Sequence, residues 1–384
     1  MKVILGPVFK AIEERVFSLD WFIKKVPVHL RPDYVMRRMY REGAKYYSTD
    51  YTAFESLFTK EVMENCEFVL YDYMLQHHPQ GDEYKALIHD VLSGKNHCQF
   101  KYFTVDVEAT RMSGEMNTSL GNGFSNLMFM LFLAEENGCT DVTGVVEGDD
   151  GLFTMKGKCP TTKDFEKLGL VIKMEEHDSI STASFCGIVH SEEDRSILTN
   201  PIDLILNFGY ASGRYAGANK RTILKLLRAK SLSMIYQYPG CPMVNTLALY
   251  GLKMTHNINI KSLLSGNHFD EWEKSKLIQA VNFYENNKKH IDTIVTTTTS
   301  SRLLVEKLYG IPIETQVAFE NYIEGLETLQ MIRFDRLLPY CHLDQIDYFW
   351  RFRNFGGEVN RPEIDATRGT YAFKHKVNLG PIMA

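Results

Sequence analysis

The stretch VTGVVEGDDGLFTM, residues 142–155, sets two runs rich in Val, Leu, Phe and Met on either side of Gly148-Asp149-Asp150. Strand, tight turn, strand is the pattern of a β-hairpin. Two adjacent carboxylates at such a turn suit Mg²⁺, which takes hard oxygen ligands. Taken alone, the stretch also reads as an ordinary hairpin closure, because Asp-Gly turns are common. Its meaning depends on what else the chain brings to it.

Upstream, KYYSTD (45–50) predicts a short strand ending at Asp50. A carboxylate at a strand's end meets the GDD turn if the two strands are neighbours. Two Mg²⁺ ions bridged by such carboxylates activate a 3′-hydroxyl and stabilise a leaving pyrophosphate. The competing reading makes Asp50 the N-cap of the next helix. That helix is predicted from Ala53 to about His77, with Phe54, Leu57, Phe58, Met63, Cys66, Leu70, Tyr73 and Met74 recurring at turns. Glu55 follows Asp50 by about one turn.

Between these segments lies RMSGEMNTSLGNGFSN (111–126). Ser113-Gly114 reads as a flexible loop, and a long helix is predicted from Thr118 to about Asn137, with Gly138 as its stop. Thr118 and Asn122 share a face of that helix, while Leu120, Phe124, Leu127 and Leu131 form another. Gly121 and Gly123 each cost a helix roughly 1 kcal/mol against Ala. Their presence points to close approach of another backbone or a ligand, or else to loose packing.

The remaining pattern is coarser. Residues 8–24 show helical apolar spacing, and a basic, Pro-broken stretch follows (Lys24, Lys25, Arg31, Arg37, Arg38, Arg41, Lys45). Leu87 to Leu92 is apolar, HCQFKYFTV predicts a strand, EKLGLVIKME a helix end feeding a strand, and SFCGIVH a strand or hairpin. After about Asn200 helical patterns dominate. Residues 204–230 contain no acid and carry Arg214, Lys220, Arg221, Lys225, Arg228 and Lys230, which reads either as a solvated face or as a phosphate-backbone contact. TTTTSS (296–301) reads as a loop. The 384 residues, 44% hydrophobic and 24% charged, are an ordinary globular composition sufficient for two or three domains. A net charge of -5 gives no overall polyanion-binding footprint. The seven Cys show no CxxC pair, so reduced thiols are expected. The longest apolar run, Leu127 to Ala134, is too short to span a bilayer, and no signal peptide is apparent.

In order, Asp50/Glu55, then Ser113-Gly114 with Thr118 and Asn122, then Gly148-Asp149-Asp150 resemble the palm motifs of positive-strand RNA virus RNA-dependent RNA polymerases. The wording RMSGEMNTSLGNG is most similar to the tombusvirus-like members. The likeness extends from GPVFKAIEERVF to about residue 190. It implies an α+β right-hand fold: an antiparallel palm sheet backed by helices, partial fingers and a helical thumb. It divides the chain into a fingers remnant (1–48), a palm (49–199, with an inserted fingers segment about 78–108) and a thumb (200–384).

It also implies template-directed RNA synthesis from NTPs by two-metal nucleotidyl transfer, with Mg²⁺, or Mn²⁺, as cofactor. The implied metal ligands are Asp50 and Asp149, with Asp150 assisting. Glu55 and Asn122 resemble the pair that senses the ribose 2′-hydroxyl, and Ser113, Gly114 and Thr118 belong to the loop and helix that position nucleotide and template. Phe185-Cys186-Gly187 resembles the turn that grips the growing strand. Lys173 or His177 is implied as general acid for pyrophosphate. The implied partners are RNA template, nascent strand, NTPs and other viral replication proteins, in the host cytoplasm at membrane-associated complexes. Two departures from the family pattern stand out: Glu55 replaces the usual Asp, and no basic fingers segment precedes Gly6, so the chain is expected to be a fragment. Tyr51, directly after Asp50, keeps a reverse transcriptase as an alternative; a catalytically incomplete RNA-binding protein is the other.

Overall fold

The computed structural model describes residues 2–342 except 113, 212–214, 216, 267, 268 and 270. The chain forms two compact units that divide between Arg195 and Ser196. The first unit runs α1 (Lys2–Val16), α2 (Arg31–Met39), β1 (Tyr46–Tyr51), α3 (Lys60–Val62), α4 (Phe68–Leu75), α5 (Gly81–Leu92), β2 (Lys95–Gln99), β3 (Thr104–Glu108), α6 (Thr118–Glu136), β4 (Thr140–Glu147), β5 (Asp150–Lys156), α7 (Thr162–Glu166) and β6 (Ile172–His177).

Its frame is a four-stranded sheet in the order β4-β5-β1-β6. All three pairings are antiparallel. Because side chains alternate along a strand, β1, β4 and β5 each feed two cores. Tyr51, Val146 and Phe153 enter the larger one, with Phe9 and Ile12 of α1 and Leu120, Leu127 and Met130 of α6. Tyr46, Val145 and Leu152 enter the smaller one, with Val35, Met36 and Met39 of α2 and with Phe185. The outer edge of β4 is covered by residues 21–23: Val146 N donates to Trp21 O (2.8 Å) and Ile23 N to Val146 O (3.4 Å). That pairing explains why helical spacing over 8–24 overreaches. The helix stops at Val16, and Phe17 and Phe22 turn into the core as part of a chain crossing the sheet edge.

Two other predicted elements are reshaped. The helix expected from Ala53 opens as a short 3-10 turn, Phe54–Leu57, and restarts at Lys60 behind Thr59, whose hydroxyl accepts from Val62 N (3.3 Å). A π-helical turn, Met63–Glu67, then joins α3 to α4. HCQFKYFTV is two strands rather than one: β2 and β3 form an antiparallel hairpin with Phe100 to Phe103 at its tip.

The second unit is helical, with α8 (Pro201–Leu206), α9 (Lys220–Gln237), α10 (Val244–Met254), α11 (Lys261–Ser265), α12 (Glu271–Asn287), α13 (Ile291–Ile294), α14 (Thr299–Tyr309) and α15 (Ile313–Glu324). α9 packs on both α10 and α12, and α15 on α10 and α14. Arg302 on α14 grips Glu320 on α15 through both guanidinium ends (3.1 and 2.6 Å). Glu320 also accepts from Met243 N (2.8 Å), which fixes the left-handed residue (φ 65°) that starts α10. The TTTTSS segment is only partly loop, since Thr298 caps α14 through Ser301 N (3.0 Å). Among the described residues, no helix is long and apolar enough to cross a membrane.

Candidate active site

The sheet register puts the predicted carboxylates at one end of one face. In the β1–β5 pairing the last partners are Thr49 and Gly151, so Asp50 lies one step further, level with Asp150. Asp50 is exposed and does not cap a helix; the following 3-10 turn has Ala53 at its N-cap position. Tyr51 takes the opposite face. It is buried in the larger core, stacked on Phe54 at 4.1 Å between ring centroids, and so is turned away from Asp50.

Gly148 and Asp149 form the two-residue turn between β4 and β5, with Glu147 paired to Asp150. Gly148 has φ 64°, the first-position requirement of a type II′ turn, which only glycine meets without strain. From the far side of the sheet, α6 holds this turn. Asn126 Nδ2 donates to the carbonyls of Gly148 (3.2 Å), Asp149 (3.0 Å) and Asp150 (3.0 Å). A Cβ on Gly123 would lie 3.4 Å from the Phe22 ring and 3.5 Å from Gly148 N, ordinary contact distances, so α6 packs beside the turn without requiring glycine at this position. Asn126 was not among the residues singled out from sequence. The i+4 series Thr118, Asn122, Asn126 on an otherwise apolar helix is the signal that points to it.

Burial raises the carboxyl pKa of Asp149, and the nearby negative charges of Glu55 and Asp50 add to the effect. Asp150 is pushed up to about 6 by burial first, then by Asp149 and Asp50. These are carboxylates whose charges oppose one another, the electrostatic condition that a bound cation relieves. As oxygen donors they suit Mg²⁺. Among the described residues, no three His, Cys, Asp or Glu side chains already stand as a ligating cluster.

Phe185 and Ile188 exchange backbone hydrogen bonds (2.8 and 3.1 Å) around Cys186 and Gly187, with φ 53° and 70°. This is the hairpin expected of SFCGIVH, with both loop residues left-handed. It carries the Cys186 thiol to Asp150, whose carboxyl it hydrogen-bonds. Beneath the turn, buried Arg31 pairs with Glu147 (3.1 Å).

The register also separates the two candidate acids. Lys173 on β6 is the direct cross-strand partner of Asp50, whereas His177 is that of Tyr46. At about 3.3 Å per residue, His177 lies about 13 Å along the strand from the carboxylates. It is bonded to Ser48 Oγ (3.0 Å), and burial lowers its pKa.

Glu55 and Asn122 meet: Asn122 Nδ2 donates to Glu55 Oε1 (3.1 Å). Gly114 is exposed with φ 84°, and Thr118 Oγ1 donates to Met112 O (3.4 Å), closing the loop onto the helix start. Ser113 lies outside the described residues. Behind Asn122 lies a pair that sequence reading missed, buried Arg111 and buried Glu67. Arg111 NH1 donates to Asn122 Oδ1, and its guanidinium lies over Phe58 (3.9 Å). Burial lowers the Arg111 pKa to about 10. Gly121 packs against this pair, where a Cβ would collide with Glu67 Oε1 and the Arg111 guanidinium.

In the second unit, much of the basic run on α9 is engaged locally. Arg228 NH1 donates to Thr255 O (2.9 Å), Lys225 Nζ to Ser262 Oγ (2.6 Å), and Lys230 is largely buried, which lowers its pKa. Lys220 and Arg221 remain exposed; Arg214 lies outside the described residues.

Residues 22–198 match the family model of viral RNA-dependent RNA polymerases, a segment containing Asp50, Glu55, Asp149 and Asp150. The match supports RNA-directed RNA synthesis as the general activity. No curated protein matches the chain.

Proposed function

We propose that the first unit is the palm of a viral RNA-dependent RNA polymerase and that it joins NTPs to an RNA 3′-hydroxyl by two-metal nucleotidyl transfer. The observation that carries this reading is the gathering of Asp50, Asp149, Asp150 and Lys173 at one end of one sheet face, inside the matched segment. In this reading the second unit is the helical thumb, the arrangement is the right-hand polymerase fold, and the chain is a tombusvirus-like member, for which the support is the wording of residues 111–123.

Asp50, Asp149 and Asp150 would hold Mg²⁺. When bound, the metal supplies charge neutralisation for the attacking and leaving oxygens. The 3′-hydroxyl loses its proton to solvent as its oxygen forms a bond to the α-phosphorus of the NTP, the α–β phosphoanhydride breaks, and pyrophosphate leaves. Lys173 is read as the group that gives the leaving pyrophosphate a proton, a reading supported by its pairing with Asp50, while His177 pairs with Tyr46 four residues away. Glu55 and Asn122 present an acceptor and a donor to a sugar hydroxyl, a pairing that favours ribonucleotides because a deoxy analogue leaves both unsatisfied. Tyr51 is buried on the other face, so the aromatic neighbour that would suit a reverse transcriptase is not at the site.

Primer extension on an RNA template with Mg²⁺ and NTPs tests the proposal. Asp149→Asn keeps the shape and removes a charged ligand, so extension should be abolished while the fold is retained. Incorporation near the wild-type rate by this variant would sink the metal assignment.

A further inference from the structure

The chain spends unusual structure on placing one guanidinium. Ala109 and Thr110, directly before Arg111, both take left-handed backbone (φ 52° and 53°), which costs non-glycine residues about 1 kcal/mol or more each. They are held there from three directions. Asn96 Nδ2 donates to both their carbonyls (2.7 and 3.3 Å), Ala109 N donates to Gly94 O (2.9 Å), and Thr110 N donates to Phe58 O (3.0 Å).

The far side is built as carefully. Glu67 stands on the π-helical turn, a local irregularity often found at functional sites. Its Oε1 accepts from Asn117 Nδ2 (2.9 Å) and from the Tyr71 hydroxyl, and its Oε2 faces Arg111. Gly121 leaves the room the pair occupies. A buried ion pair is weak evidence of stability, since apolar replacements of equal volume often do as well. This much machinery around one side chain therefore asks for a role other than stability.

That role follows from what a guanidinium is able to do. All its polar hydrogens donate, and it has no acceptor. An amide side chain has two ends of similar shape and opposite character. With Arg111 against it, Asn122 must turn its oxygen inward, and its NH₂ then faces Glu55. One N–H satisfies Glu55 Oε1; the second is left for a ligand oxygen. The flipped amide would set oxygen against carboxylate and offer nothing to a hydroxyl.

We propose that Arg111 is a positioning residue for sugar selection: it locks the orientation of the Asn122 amide, and through it the Glu55–Asn122 pair that tells ribose from deoxyribose. This rests on the reading of that pair given above, and Arg111 itself touches no substrate.

The test compares kcat/KM for ATP and dATP on one RNA template–primer, for wild type, Asn122→Ala, Arg111→Met, Arg111→Lys and Glu67→Gln. Arg111→Met should lower the ATP:dATP ratio about tenfold or more, close to the effect of Asn122→Ala, mainly through weaker use of ATP. Arg111→Lys, which keeps a charged donor, should recover part of the ratio. Glu67→Gln keeps the Arg111–Asn122 bond and should keep the ratio, whatever it does to melting temperature. If Arg111→Met proves too unstable, Glu67→Gln/Arg111→Met removes the orphaned charge and takes its place. Equal losses for ATP and dATP in the Arg111 variants, with Asn122→Ala still lowering the ratio, would overturn this inference alone. An unchanged ratio in Asn122→Ala would overturn the sugar-sensing reading itself.

Discussion

Replacing Asn126 by Asp changes one NH₂ group to oxygen and almost nothing in shape, so it isolates what holds the GDD turn. In the wild type the amide NH₂ faces three carbonyls at 3.0–3.2 Å. Its two N–H groups contribute about 1 kcal/mol each, net of solvation, so Asn126→Ala should cost about 2 kcal/mol before the small cavity is counted. Asn126→Asp loses the same donors and adds a buried anion facing three carbonyl oxygens beside Asp149 and Asp150. Leaving a buried charge without a partner costs roughly 3–5 kcal/mol, so the isosteric change should be the more damaging one. The assay is urea unfolding followed by Trp21 fluorescence, with Trp272 and Trp350 replaced by Phe. Trp21 suits this because its carbonyl is bonded to Val146 on β4 (2.8 Å). Extension activity, measured alongside, should fall in the same order: wild type, then Ala, then Asp. If Asn126→Asp were as stable as wild type, or milder than Asn126→Ala, then shape rather than hydrogen-bond donation would hold the turn, and the reasoning would fail.

Gly121→Ala gains helix propensity of roughly 1 kcal/mol yet should still destabilise the first unit, because its Cβ has no room beside Glu67 and Arg111; a melting temperature at or above wild type would refute this. Lys173→Ala should lower kcat for extension by tenfold or more, typical of losing a general acid, while His177→Ala stays within about threefold; the reverse order would show that the sheet register does not decide the acid. His190 is buried with no hydrogen-bond partner for either ring nitrogen among the described residues, and burial lowers its pKa to about 4. The folded state then resists protonation that the unfolded chain accepts below about 6.5, so stability should fall as pH drops from 6.5 towards 4, and His190→Leu should flatten that part of the stability–pH curve. Asp150 has the opposite sign. Its pKa raised to about 6 means that the metal-free protein loses stability as pH rises through 4 to 6, a slope to which Asp149 also contributes and that Asp150→Asn should reduce.

How much of this could be read from the residues alone depends on whether the signal was local. The GDD hairpin is local: two apolar runs, a glycine where positive φ is required, and a period of two. The α6 helix is local too, and one of its two glycines, Gly121, marks a close approach, though to the side chains of a buried ion pair rather than to a backbone or a ligand. Sheet order is not local. Whether Asp50 ends a strand or caps a helix turns on β1 lying between β5 and β6, and whether Lys173 or His177 lies level with Asp50 turns on a register of four residues. No spacing along one segment contains that information. Arg111 and Glu67 are the instructive case. Glu67 falls on the stripe marked by Met63, Leu70 and Met74, an acid in a row of buried positions, and a buried acid requires a partner. That much was visible in the sequence, but its partner was not. Arg111 sits 44 positions on, at the mouth of a loop, and reaches inward only because two non-glycine residues accept left-handed backbone. Strain of that kind leaves no mark in composition or periodicity. The segments that sequence reading describes least well are therefore those where tertiary contacts override local preference. In this first unit two of them, the loop before Arg111 and the π turn of Glu67, end on the same pair of side chains behind Glu55 and Asn122.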